Sequence, residues 1–279
     1  MTNQKLMAQG VTFLKNAAVE EPEDNARRLF YHVTGLTMTT YALEMGEEAN
    51  DGVLEAYRHL LEKRARHIPL QQLTGVADFY GRDFSVDDHV LIPRYDSETL
   101  IEAILPELKE GDHLLDIGTG SGCLILTLLL ENETVRGLAA DISDEALLKA
   151  RRNAEKWQVT DRISFIKSDL FSNIPGEYDI ILSNPPYIRT DVIKSLAPEV
   201  RDHEPLTALD GGEDGLDIYR RLIPEALNHL KVGGKLFLEI GYDQGESVRQ
   251  LMESAGFSEV RLIKDLGGND RVLWGKRHV

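Results

Sequence analysis

The stretch Leu114-Leu115-Asp116-Ile117-Gly118-Thr119-Gly120-Ser121-Gly122 decides the fold. It reads as a short apolar strand that runs into a glycine turn, and the apolar run Cys123 to Leu130 then predicts a helix. The turn needs residues without a Cβ, because the backbone must bend sharply and let a ligand approach closely. The helix that follows presents free N–H groups at its start. Dinucleotide enzymes share such a turn, so the turn alone does not identify the ligand.

The sequence around this stretch alternates between strands and helices. We predict strands at residues 113–117, 135–140, 163–167, 178–183, 234–240, 260–264 and 272–274. We predict helices at residues 97–108, 123–130, 145–157, 218–230 and 246–255. Strands that alternate with helices indicate an α/β fold with a mostly parallel sheet covered on both faces.

The first part of the chain has a different texture. Residues 1–73 carry apolar side chains at helical spacing and predict a small helical bundle. Residues 74–92 contain two strand-like runs around Gly81 and predict a β-hairpin linker. Residues 93–279 then form the larger domain. The chain is therefore expected to hold an accessory helical domain, a linker and one catalytic domain.

Composition narrows the class of protein. The chain has 279 residues, of which 42% are hydrophobic and 28% charged, and its formal net charge is −16. No apolar run reaches the roughly 20 residues that span a bilayer, and the first residues lack the layout of a signal peptide. A single cysteine, Cys123, fits a reducing compartment. We therefore expect a cytoplasmic protein with no membrane contact, no metal site and no extended binding to phosphate backbones.

Two acidic residues downstream of the glycine turn fit a nucleoside ligand. Asp141 ends the next strand, roughly 20 residues on, where a carboxylate can accept from both ribose hydroxyls. Ribose binding of this kind fits NAD or S-adenosylmethionine. Asp169 and its apolar neighbour Leu170 follow a further strand, and this placement favours adenine binding by S-adenosylmethionine-dependent methyltransferases. A helix cap or turn is the alternative role for both carboxylates, and Asp116 could hold either the turn or the cofactor's amino group.

Asn184-Pro185-Pro186-Tyr187 follows a buried strand and is predicted to be the reacting centre. Ligands of open α/β sheets bind at the carboxyl ends of strands. Consecutive prolines fix φ and lack N–H groups, so they present carbonyls in a set direction. The Asn184 side-chain oxygen and the Pro185 carbonyl could each accept one hydrogen of a planar NH2 group. Tyr187 could stack on that flat target.

The predicted chemistry is methyl transfer to an amide or amino nitrogen. An amide nitrogen is a poor nucleophile because its lone pair is delocalised into the carbonyl. Two acceptors on its N–H groups return electron density to nitrogen, and alignment with a sulfonium methyl supplies proximity and orientation. The scheme requires no dedicated general base.

Further motifs resemble those of the protein-(glutamine-N5) methyltransferases that modify peptide chain release factors. The resemblance covers nearly the whole chain. The motifs that carry it are Pro69-Leu70-Gln71-Gln72-Leu73-Thr74-Gly75, Phe79-Tyr80, Leu91-Ile92-Pro93-Arg94, Ser183-Asn184-Pro185-Pro186-Tyr187-Ile188, His203-Glu204-Pro205-Leu206-Thr207-Ala208-Leu209, Leu238-Glu239-Ile240-Gly241, Gln244-Gly245 and Gly267-Gly268-Asn269-Asp270-Arg271-Val272. Adenine-N6 DNA methyltransferases share Asn-Pro-Pro-Tyr, so the flanking motifs make the match specific.

The resemblance implies a class I, Rossmann-like methyltransferase that uses S-adenosyl-L-methionine and releases S-adenosyl-L-homocysteine. Its implied target is the glutamine of the Gly-Gly-Gln motif in class I release factors, gripped in part by the helical domain. The cofactor contacts are expected from Gly118, Thr119, Gly120, Ser121, Gly122, Asp141, Asp169, Leu170 and Asn184. The catalytic and glutamine-binding residues are expected to be Asn184, Pro185, Pro186 and Tyr187, with Arg94 and Glu98 lining the target channel or forming a surface ion pair.

Three positions depart from the family pattern. Tyr95 stands in place of a proline and Ser97 in place of a threonine, which predicts a more mobile loop. Leu170 stands where an aromatic residue is common, which predicts weaker stacking on adenine.

Other functions stay open at this point. A glutamine of a ribosomal protein is an alternative target, and so is an adenine N6 in nucleic acid, which would need an extruded or single-stranded base. The net charge of −16 and the lack of a basic recognition segment disfavour a nucleic acid. A noncatalytic nucleotide-binding domain has no need of both motifs, and a dehydrogenase would need a proton relay. We expect a monomer with no direct nucleic-acid binding.

Overall fold

The computed structural model describes residues 1–278, and these fold as two compact units. The helical unit consists of Met1–Val76 together with Ala197–His203, and the sheet unit takes the rest of the described chain. The domain boundaries at residues 73 and 92 stay a prediction. The structure adds that a segment from the second half of the sequence folds with the N-terminal helices.

Six helices build the helical unit. They are α1 (Asn3–Asn16), α2 (Pro22–Thr34), α3 (Met38–Glu44), α4 (Asp51–Arg64), α5 (Leu70–Thr74) and the later α10 (Pro198–Arg201). Side-chain caps begin α1 and α4, where Thr2 and Asn50 accept from N–H groups of the first turn. Phe30 and Tyr57 are fully buried in the core, and the Tyr57 hydroxyl donates to the Ala26 carbonyl at 3.0 Å.

The late segment is tied to the N-terminal helices by partly buried polar contacts. Arg64 is only 3% exposed and donates to the Asn25 side chain at 2.6 Å and to the Glu199 carboxylate. The Gln72 side chain donates to the His203 carbonyl at 2.7 Å. Arg64 is buried and Glu199 is 33% exposed, so loss of Glu199 would leave the Arg64 guanidinium without its carboxylate partner in a buried position. The helical unit therefore depends on residues from both stretches.

A seven-stranded sheet forms the centre of the sheet unit. Its strands are β3 (His113–Ile117), β4 (Arg136–Asp141), β5 (Ile163–Lys167), β6 (Tyr178–Ser183), β7 (Leu230–Glu239), β8 (Phe257–Lys264) and β9 (Asp270–Arg277). The spatial order is β5-β4-β3-β6-β7-β9-β8, and the first five strands are parallel. Strand β9 is antiparallel to both of its neighbours. The mostly parallel sheet predicted from the alternating pattern is confirmed, and so is the Rossmann-like class that the resemblance implies.

Helices cover both faces of this sheet. They are α6 (Glu98–Ile104), α7 (Cys123–Glu131), α8 (Asp144–Lys156), α9 (Thr190–Ile193), α11 (Asp217–His229) and α12 (Gly245–Ala255). Successive strand residues point to opposite faces, so Leu114 joins the core with α6 and α7, and Leu115 joins the core with α11 and α12. Among residues 1–278, no helix has the length and apolar character needed to cross a membrane.

The β-hairpin consists of β1 (Val76–Phe79) and β2 (Arg82–Ser85). Its two-residue turn places Tyr80 and Gly81 at φ values of 52° and 69°, the combination of a tight hairpin turn. Phe79 and Phe84 are fully buried and meet edge to face at 6.2 Å between ring centroids. Both rings belong to the core that α6 and α7 share, so the hairpin is an integral part of the sheet-unit core.

The strand order reverses between β3 and β6. From β3 the chain proceeds outward through β4 and β5, and it then returns to add β6 on the other side. Open sheets bind ligands at such a switch point, outside the carboxyl ends of the strands. The glycine turn after β3 and Asn184 after β6 therefore meet at the same edge of the sheet.

Candidate methyl-transfer site

A cavity of about 940 Å³ lies at the switch point, near the upper end of the range usual for ligand sites, roughly 300–1,000 Å³. The residues that line it come from the ends of β3, β4, β5 and β6, from the loops that precede α6 and α11, and from the first turns of α7, α8 and α11. The predicted site residues among them are Arg94, Gly118, Thr119, Gly120, Ser121, Asp141, Asp169, Leu170, Asn184, Pro185 and Pro186. Three predicted site residues are not among the described residues that line the cavity: Gly122, Glu98 and Tyr187.

The glycine turn has the backbone geometry expected of it. Gly118, Gly120 and Gly122 have φ values of 76°, 56° and 81°, which other residues adopt only with strain. The N–H groups of Gly118 and Thr119 both donate to the Ala140 carbonyl, at 2.9 and 3.0 Å. These bonds fasten the turn to the neighbouring strand and leave its inner surface on the cavity.

Asp116 lies directly below the turn and is fully buried. Its Oδ2 accepts from the Thr119 hydroxyl at 2.7 Å, but its Oδ1 has no hydrogen-bond partner among the described residues. Burial, and to a smaller extent the charge of Asp141, raise the Asp116 pKa to about 7. Asp116 is not among the described residues that line the cavity, and its hydrogen bond to Thr119 fits the expected role of holding the turn. A role at the cofactor's amino group stays a prediction.

Asp141 ends β4 and holds the turn from the side. Its Oδ2 accepts from the Gly120 N–H and its Oδ1 from the Ser143 N–H, both at 2.9 Å. Burial raises its pKa, while these backbone hydrogen bonds oppose the shift. The carboxylate is thus fixed in orientation and lines the cavity, and each oxygen keeps a further lone pair for a ligand hydroxyl.

Asp169 and Leu170 lie on the third side of the cavity, after β5. Leu170 has a φ of 48°, and this backbone turn is held by the Ser168 hydroxyl, which donates to the Leu170 carbonyl at 2.8 Å. The Asp169 side chain is about half exposed and pairs with Arg221 at 2.8 Å. Arg221 therefore competes for the carboxylate that the sequence assigns to adenine, an interaction that stays a prediction.

Asn184 follows β6 and reaches the cavity beside the glycine turn. The Ser183 hydroxyl donates to the Ile117 carbonyl at 2.6 Å and so joins the ends of β6 and β3. The Asn184 Nδ2 donates to the Ser97 hydroxyl oxygen at 3.3 Å. This hydrogen bond occupies the Nδ2 end of the amide, and the Asn184 Oδ1 remains free to accept from a ligand.

The carbonyl of Tyr187 is held by a second set of contacts. The Gln244 side chain donates to the carbonyls of Tyr187 and Gly215 at 3.0 and 3.1 Å, and accepts from the Gly241 N–H at 2.9 Å. Gly215 has a φ of 77°, and a Cβ there would lie 2.4 Å from the Tyr187 carbonyl oxygen. The backbone that follows the two prolines is therefore packed tightly against a glycine of the next loop.

The Tyr187 hydroxyl points away from the cavity lining and donates to the Glu239 Oε1 at 3.3 Å. Glu239 ends β7 and is 1% exposed, and its Oε2 has no hydrogen-bond partner among the described residues. Burial raises its pKa to about 7, against the opposing effects of Ser97, Arg271 and Tyr187. Stacking of Tyr187 on the target stays a prediction.

Arg94 and Glu98 take separate positions. The Arg94 guanidinium lines the cavity and donates to both carboxylate oxygens of Glu204 at 2.6 Å. The Glu98 carboxylate instead accepts from the Tyr80 N–H at 2.8 Å, at the hairpin turn. The role of Arg94 in the target channel stays a prediction, and Glu98 lies where it supports the hairpin.

Sequence reasoning assigned no role to several residues that the structure brings to the site. Glu239 and Gln244 lie in motifs that carry the family resemblance, and Ser97 was noted only as a departure from the family pattern. They were missed because they are far in sequence from the residues they contact: Glu239 and Gln244 lie 52 and 57 residues from Tyr187, and Ser97 lies 87 residues from Asn184. A buried carboxylate or amide at a strand end is the one signal that could have indicated them.

Two family models match the chain. Residues 5–75 match the model of the PrmC N-terminal domain, and residues 95–199 match the methyltransferase small domain. The second match confirms the prediction of a methyltransferase. A solved methyltransferase structure from Pyrococcus furiosus aligns with a TM-score of 0.55 and 22% identity over 78% of this chain and 99% of that chain, which supports the fold.

Curated relatives match over nearly the whole chain. The release factor glutamine methyltransferase of Agrobacterium fabrum is 40% identical over 95% of this chain and 93% of its own length. The protein of that name from Caulobacter vibrioides is 39% identical over the same shares of the two chains. The family predicted from the motifs is confirmed: the chain belongs to the release factor glutamine methyltransferases.

Proposed function

We propose that this chain transfers the methyl group of S-adenosyl-L-methionine to the side-chain amide nitrogen, N5, of a glutamine in a class I peptide chain release factor. The glutamine is that of the Gly-Gly-Gln motif. Membership of the family supports this substrate. The observation that carries the proposal is the position of Asn184, which lies on the cavity wall beside the glycine turn with its amide donor already bonded to Ser97.

The cavity residues fit the proposed cofactor. Asp141 lines the cavity and would accept from the ribose hydroxyls. Asp116 is buried behind the cavity lining, where its negative charge would attract the cofactor's ammonium group. Asp169 and Leu170 would contact the adenine on the third side. The glycine turn leaves room where other residues would carry a Cβ: a Cβ on Gly118 or Gly120 would meet nothing within 4 Å.

When bound, the cofactor supplies a methyl group activated by a positively charged sulfur. The protein supplies the orientation of the nucleophile. Asn184 Oδ1 and the Pro185 carbonyl accept one hydrogen each from the glutamine NH2, which turns the nitrogen's lone-pair direction toward the methyl. A C–S bond breaks, an N–C bond forms, and one amide proton leaves to solvent.

The two prolines make this arrangement specific for an amide. They have no N–H groups, so this part of the wall offers acceptors and no backbone donors toward the NH2. An acceptor-rich wall binds NH2 in preference to a carbonyl or a carboxylate, because both of those would place two acceptors against each other. This preference supports glutamine over glutamate as the target.

The test is transfer of labelled methyl from S-adenosylmethionine to purified class I release factor. Parallel reactions contain the factor with its Gly-Gly-Gln glutamine replaced by alanine, total ribosomal protein, and DNA. We expect labelling of the intact factor alone, with the label on the glutamine by peptide mapping. Labelling of a ribosomal protein or of DNA, with none on the release factor, would overturn the proposed substrate.

A further inference from the structure

Two buried side chains, Ser97 and Glu239, each hold one end of the Asn184–Tyr187 motif. At the Tyr187 end, Glu239 accepts from the Tyr187 hydroxyl at 3.3 Å. At the Asn184 end, the Asn184 Nδ2 donates to the Ser97 hydroxyl oxygen at 3.3 Å. Ser97 and Glu239 are 3% and 1% exposed. The first and the last residue of the motif are therefore each held by a buried side chain from another part of the sequence.

The hydrogen bond to Ser97 determines which way the Asn184 amide faces. The Asn184 Nδ2 donates to the Ser97 hydroxyl oxygen, so the NH2 end of the amide is turned toward Ser97. The Asn184 oxygen is consequently turned to the other side of the amide, where a target NH2 needs an acceptor.

We infer that Ser97 and Glu239 are positioning residues for methyl transfer: Ser97 fixes the amide of Asn184 at the cavity wall, and Glu239 fixes the ring of Tyr187 from behind the cavity lining. This inference rests on the proposed function, because it assumes that Asn184 accepts from the target amide. Misdirection of one acceptor by a distance of the order of 1 Å can cost about a hundredfold in rate.

The fixed carbonyl of Glu239 adds to this arrangement. The Tyr219 hydroxyl donates to the Glu239 backbone carbonyl at 2.7 Å from α11, and Tyr219 is fully buried. Glu239 is thus held through its backbone as well as its side chain. The titratable and charged groups that face its carboxyl group are Asp96, Cys123, Tyr187, Tyr219 and Arg271. The unpartnered Oε2 indicates that the carboxyl group is only partly satisfied, as expected of a group kept for its effect on neighbours.

The first experiment compares Ser97→Ala with Ser97→Thr, which keeps the hydroxyl. The kcat is measured for labelled methyl transfer at saturating cofactor and release factor, with cofactor affinity and thermal unfolding measured in parallel. We expect Ser97→Ala to lower kcat between about tenfold and about a hundredfold with cofactor affinity unchanged. Ser97→Thr should restore kcat to within about threefold of the unmodified enzyme.

The matched control is Thr127→Val. Thr127 is a fully buried residue of α7 whose hydroxyl has no partner among the described residues, so its loss removes a buried hydroxyl and breaks no hydrogen bond to the Asn184–Tyr187 motif. This variant should keep the kcat of the unmodified enzyme. A Ser97→Ala enzyme with unchanged kcat, or one that loses cofactor affinity and kcat equally, would overturn the inference and leave the proposed function intact.

The second experiment is the pH profile of kcat for the unmodified enzyme and for Glu239→Gln. Burial raises the Glu239 pKa to about 7, so kcat should fall as the pH drops through 7 and the carboxylate gains a proton. Saturating cofactor removes the contribution of Asp116, whose pKa is also about 7. Glu239→Gln is neutral at every pH and should show no such inflection. An inflection that persists in Glu239→Gln, or a flat profile in the unmodified enzyme, would contradict the role of Glu239.

Discussion

The two halves of the site are built in different ways. The cofactor half, at the ends of β3, β4 and β5, is held by contacts over shorter distances in sequence: Asp116 bonds to Thr119, three residues away, and Asp141 bonds to Ser143, two residues away, and to Gly120, 21 residues away. The target half, at the ends of β6 and β7, is held by Ser97, Gly215, Glu239 and Gln244, which are distant in sequence from the motif they support.

The difference follows from what each half must bind. A nucleoside presents fixed rings and hydroxyls, so a turn and a few carboxylates at strand ends suffice. An amide target must be held with its weakly nucleophilic nitrogen in one orientation, and only a rigid acceptor pair can do that. An isolated Asn-Pro-Pro-Tyr turn needs partners from other elements to become rigid. Here the partners come from the residues just before α6, α11 and α12 and from the end of β7.

The largest expected effect comes from breaking the target half at its centre. Asn184→Ala removes one of two acceptors for the glutamine NH2, and kcat should fall by about a thousandfold. Cofactor affinity should change by no more than about threefold, measured by titration calorimetry. Equal losses of cofactor affinity and kcat would show that Asn184 serves the cofactor half instead.

The second effect tests whether residues distant in sequence from the Asn184–Tyr187 motif are needed to hold it in place. Gly215→Ala places a Cβ 2.4 Å from the Tyr187 carbonyl oxygen at a φ of 77°, so the motif must move. We expect a loss of about 2 kcal/mol in the free energy of unfolding and at least about tenfold in kcat. The matched control is Gly233→Ala, which has a φ of 81° and nothing within 4 Å of the added Cβ. It should show only backbone strain, of about 1 kcal/mol, and an unchanged kcat.

The third effect ranks two carboxylates within the cofactor half. Asp141→Ala removes a buried side chain that holds the turn, and the KM for the cofactor should rise by about tenfold or more with little change in kcat. Asp169→Ala should raise it by only a few-fold, because that carboxylate is half exposed and already paired with Arg221. A larger rise in the cofactor KM for Asp169→Ala than for Asp141→Ala would reverse this ranking and mean that the adenine contact contributes more to cofactor binding than the ribose contact.

The smallest effect concerns pH and Asp116. Its pKa is about 7 in the folded protein, so the carboxyl group is mostly neutral at pH 6 and ionised at pH 8. Only the ionised form pairs strongly with a ligand ammonium, so cofactor affinity should rise by up to about tenfold over that interval. Asp116→Asn should abolish the dependence, measured by fluorescence or calorimetric titration at each pH.

The same shift has a consequence for stability in the absence of cofactor. The unfolded carboxyl group ionises near pH 4, whereas the folded one keeps its proton up to about pH 7. The folded state therefore binds more protons between these values, and stability falls as the pH rises through this window. Asp116→Asn should make the melting temperature of the cofactor-free protein fall less between pH 4 and pH 7. The same fall in the variant and the unmodified protein would mean that the Asp116 pKa is not raised in the folded state.

The contrast between the two halves also explains how far sequence reasoning reached. The strand, the glycine turn and the helix after it are encoded within about 20 consecutive residues, so the fold and the place of the cavity could be predicted from local pattern. The helix predicted at residues 97–108 was too long, because α6 ends at Ile104 and residues 105–107 continue as a 3-10 turn that contains Pro106.

The support of the target half could not be predicted in this way. No periodicity relates Ser97 to Asn184 or Gly215 to Tyr187, because the contacts exist only after β3, β6 and β7 pair. The residue types gave little help either, since serine, glycine and glutamine are ordinary at helix ends and loops. Family motifs marked Glu239 and Gln244 as members of a pattern but carried no information on what they touch.

The composition of the helical unit limits how the enzyme can be divided. Because Ala197–His203 folds with Met1–Val76, the polypeptide leaves the sheet unit after Leu196 and returns to it at Glu204. Glu199 and His203 would lose their partners, the side chains of Arg64 and Gln72, if only the first stretch were cut away or exchanged. A chimera that takes the helical unit of a relative must therefore exchange two separate pieces of sequence. A simple N-terminal deletion would leave Ala197–His203 without the helices it packs on, between the Asn184–Tyr187 motif and the loop at Gly215 that supports it.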